Sequence, residues 1–324
     1  MTSSSTVDGV LVTWGERLFY PGNRSVKHST PRLNVLLRRK ASVIRGRIVS
    51  TVARRAPQVM VKVTGGGRGM AAIAAHFRYI SKNGRLTIED DRGALREGKE
   101  SLGDLVEQWR LGGSRIPEEG QRREAFNIML SMPAGTDPLI VQRSAREFAR
   151  AELAGHRYVM VLHQHQANPH VHLSVKAAGK DGTRLNPRKA DLHRWRETFA
   201  EKLRGWGIEA EASRQATRGE TRNSRPLWRI KAAADGRLRR EGVSDKHGAP
   251  ALQSRADAMK AWQHIAEALQ RSESAEDREL AKHVLRFTSE SRFGRAVAPS
   301  EVSRSMDRTP VVAQPERPGP DMQR

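Results

Sequence analysis

Val59, Val61 and Val63 alternate with Met60 and Lys62, the period-two pattern of a strand, and the run ends at Gly65-Gly66-Gly67-Arg68-Gly69. The period then changes. Met70, Ile73, Ala74, Phe77 and Ile80 share one stripe at helical spacing, which predicts a helix over 70–83. Tyr79 falls on its other face, beside Ala72, His76 and Asn83. Further helices are predicted over 102–111 and 138–153, with a strand over 125–132 between them. Two strands follow, 157–165 and 170–177, joined by Gln166-Ala167-Asn168-Pro169, a connection short enough for a hairpin. Asn186-Pro187 reads as a helix cap followed by proline at the first helical position. The helix it opens carries Leu192, Trp195, Phe199, Leu203 and Trp206 on one face and stops at Gly207. The order β-α-α-β-α-β-β-α over 58–212 predicts an α+β domain.

The flanks read differently. Residues 1–57 hold eleven Lys/Arg against Asp8 and Glu16 and show no sustained periodicity, which predicts a mobile basic arm. From 214 to 240 nine Lys/Arg face Glu220 and Asp235. Short amphipathic helices are predicted over 256–270 and 277–287, and the Pro/Arg-rich segment 296–324 reads as disordered.

Composition narrows the function. The 324 residues carry 58 Lys/Arg against 36 Asp/Glu, a net charge of +22 that points to a polyanionic partner. Cysteine is absent, which excludes disulfide scaffolds, Cys-ligated zinc, iron–sulfur clusters and thiol nucleophiles. No apolar run approaches the ~18–20 residues of a membrane span, and Met1 to Asp8 has no apolar core of a secretory signal. The expected location is the cytoplasm.

Four of the eleven histidines lie within ten residues: His163, His165, His170 and His172. Strand side chains alternate faces, so 163 pairs with 165 and 170 with 172, and one hairpin register gathers all four imidazoles on one patch. Imidazole is the commonest protein ligand for divalent transition metals. The plain alternative is histidines that pack on a sheet or meet nucleic-acid phosphate. Without Cys, His-Glu-x-x-His or several carboxylates nearby, a single ion on three imidazoles with room for a phosphate remains. Such a site needs a nucleophile. Of the three tyrosines, Tyr20 lies in the basic arm and Tyr158 has opposite parity to His163. Tyr79 sits among His76, Arg78, Lys82 and Arg85. The glycine run before the first helix lacks Gly-Lys-[Ser/Thr], so it is no nucleotide-binding loop, though Arg68 there is placed to meet a phosphate.

These motifs resemble those of the MobA/VirD-type conjugative relaxases, within the wider histidine-hydrophobe-histidine (HUH) endonucleases. Met60 to Leu86, ending in His-Phe-Arg-Tyr-Ile-Ser-Lys-Asn-Gly-Arg-Leu, resembles the family's nucleophile motif, with Tyr79 in the place of the attacking tyrosine. Ile128 to Asp137 is similar to its strand and Ser-x-Pro-x-Gly-Thr turn, and His163 to His172 to its metal motif. One departure stands out: His165 occupies the position where the family usually carries an acid. The resemblance covers about 58–230. It implies an HUH-type antiparallel sheet flanked by helices, with the basic arm (1–57) before it, and a basic helical extension (231–295) and the tail (296–324) after it.

The implied activity is a site- and strand-specific nick at an origin of transfer through a 5′-phosphotyrosine on Tyr79. His163, His170 and His172 would hold one Mg²⁺ or Mn²⁺, with His165 as a further candidate. Arg68, Arg78, Lys82, Arg85, Arg214, Arg218, Arg222, Arg225 and Arg229 are the expected DNA contacts. The implied partners are single-stranded origin DNA, accessory relaxosome proteins and a type IV secretion coupling protein. Two other readings stay open: a rolling-circle replication initiator of the same chemistry, against which the tyrosine-first motif order weighs, and a basic DNA-binding protein without catalysis.

Overall fold

The structure is a computed structural model that describes residues 3–20, 34–220, 232–233, 235–237 and 248–291. Helices α1 (Ser3–Phe19) and α2 (Val35–Val52) precede strand β1 (Met60–Gly65) and helix α3 (Met70–Ile80). Short strands β2 (Ile88–Asp90) and β3 (Leu95–Arg96), helix α4 (Gly98–Leu111), strand β4 (Ala125–Ser131) and helix α5 (Pro138–Glu152) follow. The hairpin β5 (His156–His163) and β6 (His170–Gly179), then helices α6 (Lys189–Gly205), α7 (Ala249–Gln270) and α8 (Ala275–Glu290), follow among the described residues. The sheet runs β1-β4-β6-β5-β2-β3, antiparallel throughout.

Register assigns the two faces. Val61, Leu130, Val171 and Leu162 align across four strands on one face. Helices α5 and α6 cover it with Val141, Phe148, Trp195, Phe199 and Leu203, the main core of the molecule. Each such large apolar side chain gains about 1.5–3 kcal/mol by leaving water. One residue along, Met60, Ser131, His170 and His163 align on the opposite face. There α3 and α4 pack Ile73, Phe77, Ile80, Leu105 and Trp109 over Val159 and Val161, while Met60 and Lys62 on β1 stay exposed. The histidine face is thus half roofed, and its open half ends at the edge strand.

The mobile basic arm is corrected. Two helices lie within 1–57, and their buried stripes (Val7, Leu11 and Leu18; Ala41, Ile44, Ile48 and Val52) pack against Trp262, Ile265, Leu269, Val284 and Phe287 of α7 and α8. Asn34 opens α2 as its cap, its side chain accepting from the Leu37 N–H at 2.9 Å. This four-helix unit is fastened to the sheet through the C-terminal carbonyls of α1, groups with no partner inside the helix. Arg214 donates to Arg17 O (2.6 Å), Thr217 Oγ1 to Leu18 O (2.7 Å) and His193 Nε2 to Phe19 O (2.9 Å).

Two local expectations also change. The residue before α6 is Arg188, whose backbone N–H donates to the Asp191 carboxylate at 2.8 Å, so Asn186-Pro187 is not its cap. Trp206 ends that helix 41% exposed, donating to Glu147 at 3.0 Å instead of joining the core face. The segment 296–324, with Arg222, Arg225 and Arg229, lies outside the described residues. Among those described, no helix is long and apolar enough to cross a membrane.

Candidate active site

The hairpin sets His163 directly opposite His170, and His172 opposite Val161, so the three imidazoles share the half-roofed face. Their ring centroids lie 4.6–5.1 Å apart, and one nitrogen from each falls within 4.8 Å of the others. All three are buried. Burial pushes His172 down to about 3, helped by the neighbouring His163, His170 and His76. Burial also lowers His163, against a hydrogen bond to the Ile80 carbonyl that raises it. Both rings are therefore neutral near pH 7, the form that offers a lone pair to a metal.

The hydrogen bonds sort the ring nitrogens. His163 Nε2 meets the Ile80 carbonyl at 2.6 Å, and His170 Nδ1 meets the Asn168 carbonyl at 2.9 Å. A carbonyl only accepts, so these nitrogens carry the protons and leave His163 Nδ1 and His170 Nε2 as acceptors. His172 Nδ1 is buried with no partner among the described residues. An all-imidazole pocket with unsatisfied nitrogens fits a divalent ion, and backbone carbonyls orient the ligands as second partners commonly do. A carboxylate is not needed for that task here.

His165 lies beyond the end of β5. Its ring is exposed, 5.1 Å from His163, and it does not join the three converging nitrogens. The hairpin thus gathers three imidazoles at its pocket, and the fourth stands at its rim.

Tyr79 stands over this pocket because of how α3 ends. Ser81 is fully buried, its Oγ donating to Phe77 O (2.7 Å) and accepting from Gly84 N–H (3.0 Å). Lys82, Asn83 and Gly84 then take positive φ. Gly84 is required: a Cβ there would meet the Gly98 carbonyl oxygen at 2.6 Å. The same helix end supplies the Ile80 carbonyl to His163, so the residue after the tyrosine is tied to the histidine pocket. Tyr79 is 69% exposed, its ring centroid 6.4 Å from His172 and 6.2 Å from His76.

His76 is the site residue that sequence reasoning left without a role. One turn before Tyr79, it lies 6.4 Å from His172, its Nε2 buried with no partner among the described residues and its pKa pulled down by burial to about 4. The three-residue spacing to Tyr79 was the available signal. The other tyrosines stand apart. Tyr158 is buried in the core of the opposite face, and Tyr20 packs against the Arg47 guanidinium.

The second motif holds the hairpin turn. The Met132 N–H donates to Pro169 O at 3.1 Å and Ser131 Oγ to the same carbonyl at 3.3 Å, fixing the turn just before His170. Asp137 then caps α5 through the Leu139 N–H at 2.8 Å.

Of the expected DNA contacts, Arg68, Arg78, Lys82 and Arg85 are exposed around α3. Arg214 and Arg218 are half-buried; Arg214 binds the end of α1, and Arg218 donates to Gln58 Oε1 at 3.0 Å and to the Ser213 carbonyl.

Residues 79–208 match the family model "Relaxase: MobA/VirD2-like, nuclease domain", a shorter stretch than the motifs suggested, beginning at Tyr79 itself. The T-DNA border endonuclease VirD2 of Agrobacterium fabrum is 28% identical over 191 residues, 52% of this chain and 42% of that protein. Its namesake from Rhizobium rhizogenes is 26% identical over 183 residues, covering 50% and 42%. The chain thus spans less than half the length of these relatives. A solved structure described as "Molecular Basis of Vancomycin Resistance Transfer in Staphylococcus aureus" superposes with a TM-score of 0.30 at 16% identity, over 48% of this chain and 98% of that one. The tyrosine and the three histidines all lie inside the stretch 79–208 that matches the MobA/VirD2-like relaxase nuclease domain.

Proposed function

We propose that the chain is a DNA relaxase that nicks one strand at an origin of transfer and so initiates conjugative transfer. The observation that carries this reading is the exposed Tyr79 ring beside three convergent imidazoles. Tyr79 Oη attacks the scissile phosphorus. The Oη–P bond forms as the bond to the 3′ oxygen breaks, and the phenolic proton passes through solvent to the departing oxygen, which leaves as a 3′-hydroxyl. The 5′ end stays on Tyr79 as a phosphotyrosine. One phosphoester replaces another, so the 3′-hydroxyl can reverse the step without ATP.

His163, His170 and His172 are the residues that would hold Mg²⁺ or Mn²⁺. Once bound, the ion would polarise the non-bridging oxygens and offset transition-state charge. Three nitrogen donors favour Mn²⁺ chemically, whereas cellular supply favours Mg²⁺. Arg68, Arg78, Lys82 and Arg85 hold backbone phosphates on either side of Tyr79. In this role the protein works in the cytoplasm on single-stranded origin DNA, with accessory relaxosome proteins and a type IV secretion coupling protein.

The test is a covalent adduct. Incubation with single-stranded origin DNA and Mg²⁺ or Mn²⁺ should give a protein–DNA band on denaturing gels, absent in Tyr79→Phe although that variant still binds DNA. An adduct that survives the substitution sinks the assignment.

A further inference from the structure

A cavity of about 680 Å³ runs along the free edge of β1, between that strand, α6, the segment 212–220 and the first turns of α7. Five Lys/Arg side chains line it (Lys62, Arg196, Arg214, Arg218 and Arg255), against one described carboxylate, Glu220. Arg196 is half-buried and has no hydrogen-bond or ion-pair partner among the described residues, and burial alone pulls its pKa down. Burial also lowers Arg218 despite Glu220 and Glu211. Burying a guanidinium without an opposite charge costs stability. Arg196 is such a group, and with Arg218 facing the same cavity the lining is suited to an anion.

Register connects this cavity to the histidines. Lys62 lies opposite Met129, and Met129 opposite His172, a row that runs from exposed Lys62 over half-buried Met129 to buried His172 on one face of the sheet. Two strand spacings separate β6 from β1, about 10 Å. Among the described residues, α3 and α4 pack over Val159 and Val161 on β5, and Met60 and Lys62 on β1 stay exposed. We propose that the cavity is a second phosphate site, which binds the backbone of the single strand a few nucleotides from the phosphate at Tyr79. The ligand class is a phosphodiester backbone read by charge; among the described residues no Phe, Tyr or Trp lines the cavity to stack a base. The proposal rests on the relaxase reading for what occupies the histidine pocket.

Fluorescence anisotropy on the full chain tests it, using labelled single strands of mixed sequence, short (about 6 nucleotides) and long (about 30 nucleotides). Arg196→Ala should weaken binding of the long strand about tenfold, as loss of one charged hydrogen bond does. The slope of log affinity against log salt should fall by about 0.7. Binding of the short strand should be unchanged, and the melting temperature without DNA should hold or rise, because an unpaired charge has been removed. Lys62→Ala should reproduce the affinity and slope changes. Unchanged affinity and slope for the long strand in both variants would overturn the proposal. So would an affinity loss accompanied by a lowered melting temperature, which would make Arg196 a structural residue. The adduct assay is read apart: wild type that binds the long strand through Arg196 but forms no adduct would sink the nicking mechanism and leave the phosphate site.

Discussion

At the scale of single residues, the site depends on which imidazole nitrogens are already engaged. His163 and His170 each give one nitrogen to a carbonyl, and His172 Nδ1 has no partner among the described residues. His170→Ala should therefore lower Mn²⁺ affinity at least tenfold by titration calorimetry, whereas exposed His165→Ala should change it less than about threefold. A loss at position 165 equal to that at 170 would make His165 a ligand. Acid should act on the metal-free protein through the same rings. His172 and His76 stay neutral down to about 3 and about 4, while unfolded histidine titrates at 6.5. Below 6.5 the unfolded chain binds a proton that the folded chain refuses. Stability is then lost as pH falls, by about 1.4 kcal/mol per pH unit for each ring, until the folded-state pKa is reached. Urea melts of the EDTA-treated protein between pH 7 and 5 check this, and His76→Phe should flatten the profile. Spacing in the sequence was enough to mark His163, His170, His172 and Tyr79. It could not show the carbonyls of Ile80 and Asn168, because those contacts exist only once the hairpin and α3 meet.

Among the secondary-structure elements, the turn after α3 is what fixes Tyr79. A Cβ at Gly84 would have to adopt φ +83 and intrude on the Gly98 carbonyl. Gly84→Ala should cost about 1–3 kcal/mol by denaturant melts, and it should slow adduct formation beyond what the stability loss explains, since Tyr79 and the Ile80 carbonyl move with that turn. An unchanged adduct rate would show that the turn does not position the tyrosine. The long elements of the sheet domain were legible because their stripes are apolar and unbroken. β2 and β3 were missed, being three and two residues long, too short for any period to show. Helices α1 and α2 were missed for another reason. Their buried stripes include Thr13, Glu16, Ala41, Arg47 and Thr51, so small and charged residues interrupt the hydrophobic signal.

Over the whole molecule, charge suggested the partner while hiding the architecture. Basic residues near the N-terminus looked like a free polyanion-binding arm, yet several are engaged within the fold. Arg45 bonds Asp8 and Asp277, and Arg47 reaches from α2 to Glu197 on α6 and to Glu211 beyond it. Arg47 thus joins the four-helix unit to the sheet domain through two poorly solvated carboxylates. Burial raises the Glu197 pKa, and the Arg47 guanidinium is the main influence pulling it back. Arg47→Met keeps much of the packing volume and leaves two acids without their cation. The expected cost at pH 7 is about 3–5 kcal/mol, the range for breaking a buried pair from one side. The sign with pH follows from the carboxylates. Without Arg47 the Glu197 pKa, already raised by burial, rises further above its unfolded value, so stability is retained at low pH and lost as pH rises toward the new value. Denaturant melts of this variant should therefore show a larger deficit at pH 8 than at pH 5, and pairing Arg47→Met with Glu211→Gln should recover part of it. A deficit independent of pH, or a double variant no more stable than the single one, would mean that Arg47 holds the two units by packing on Phe19 and Tyr20, and not by charge.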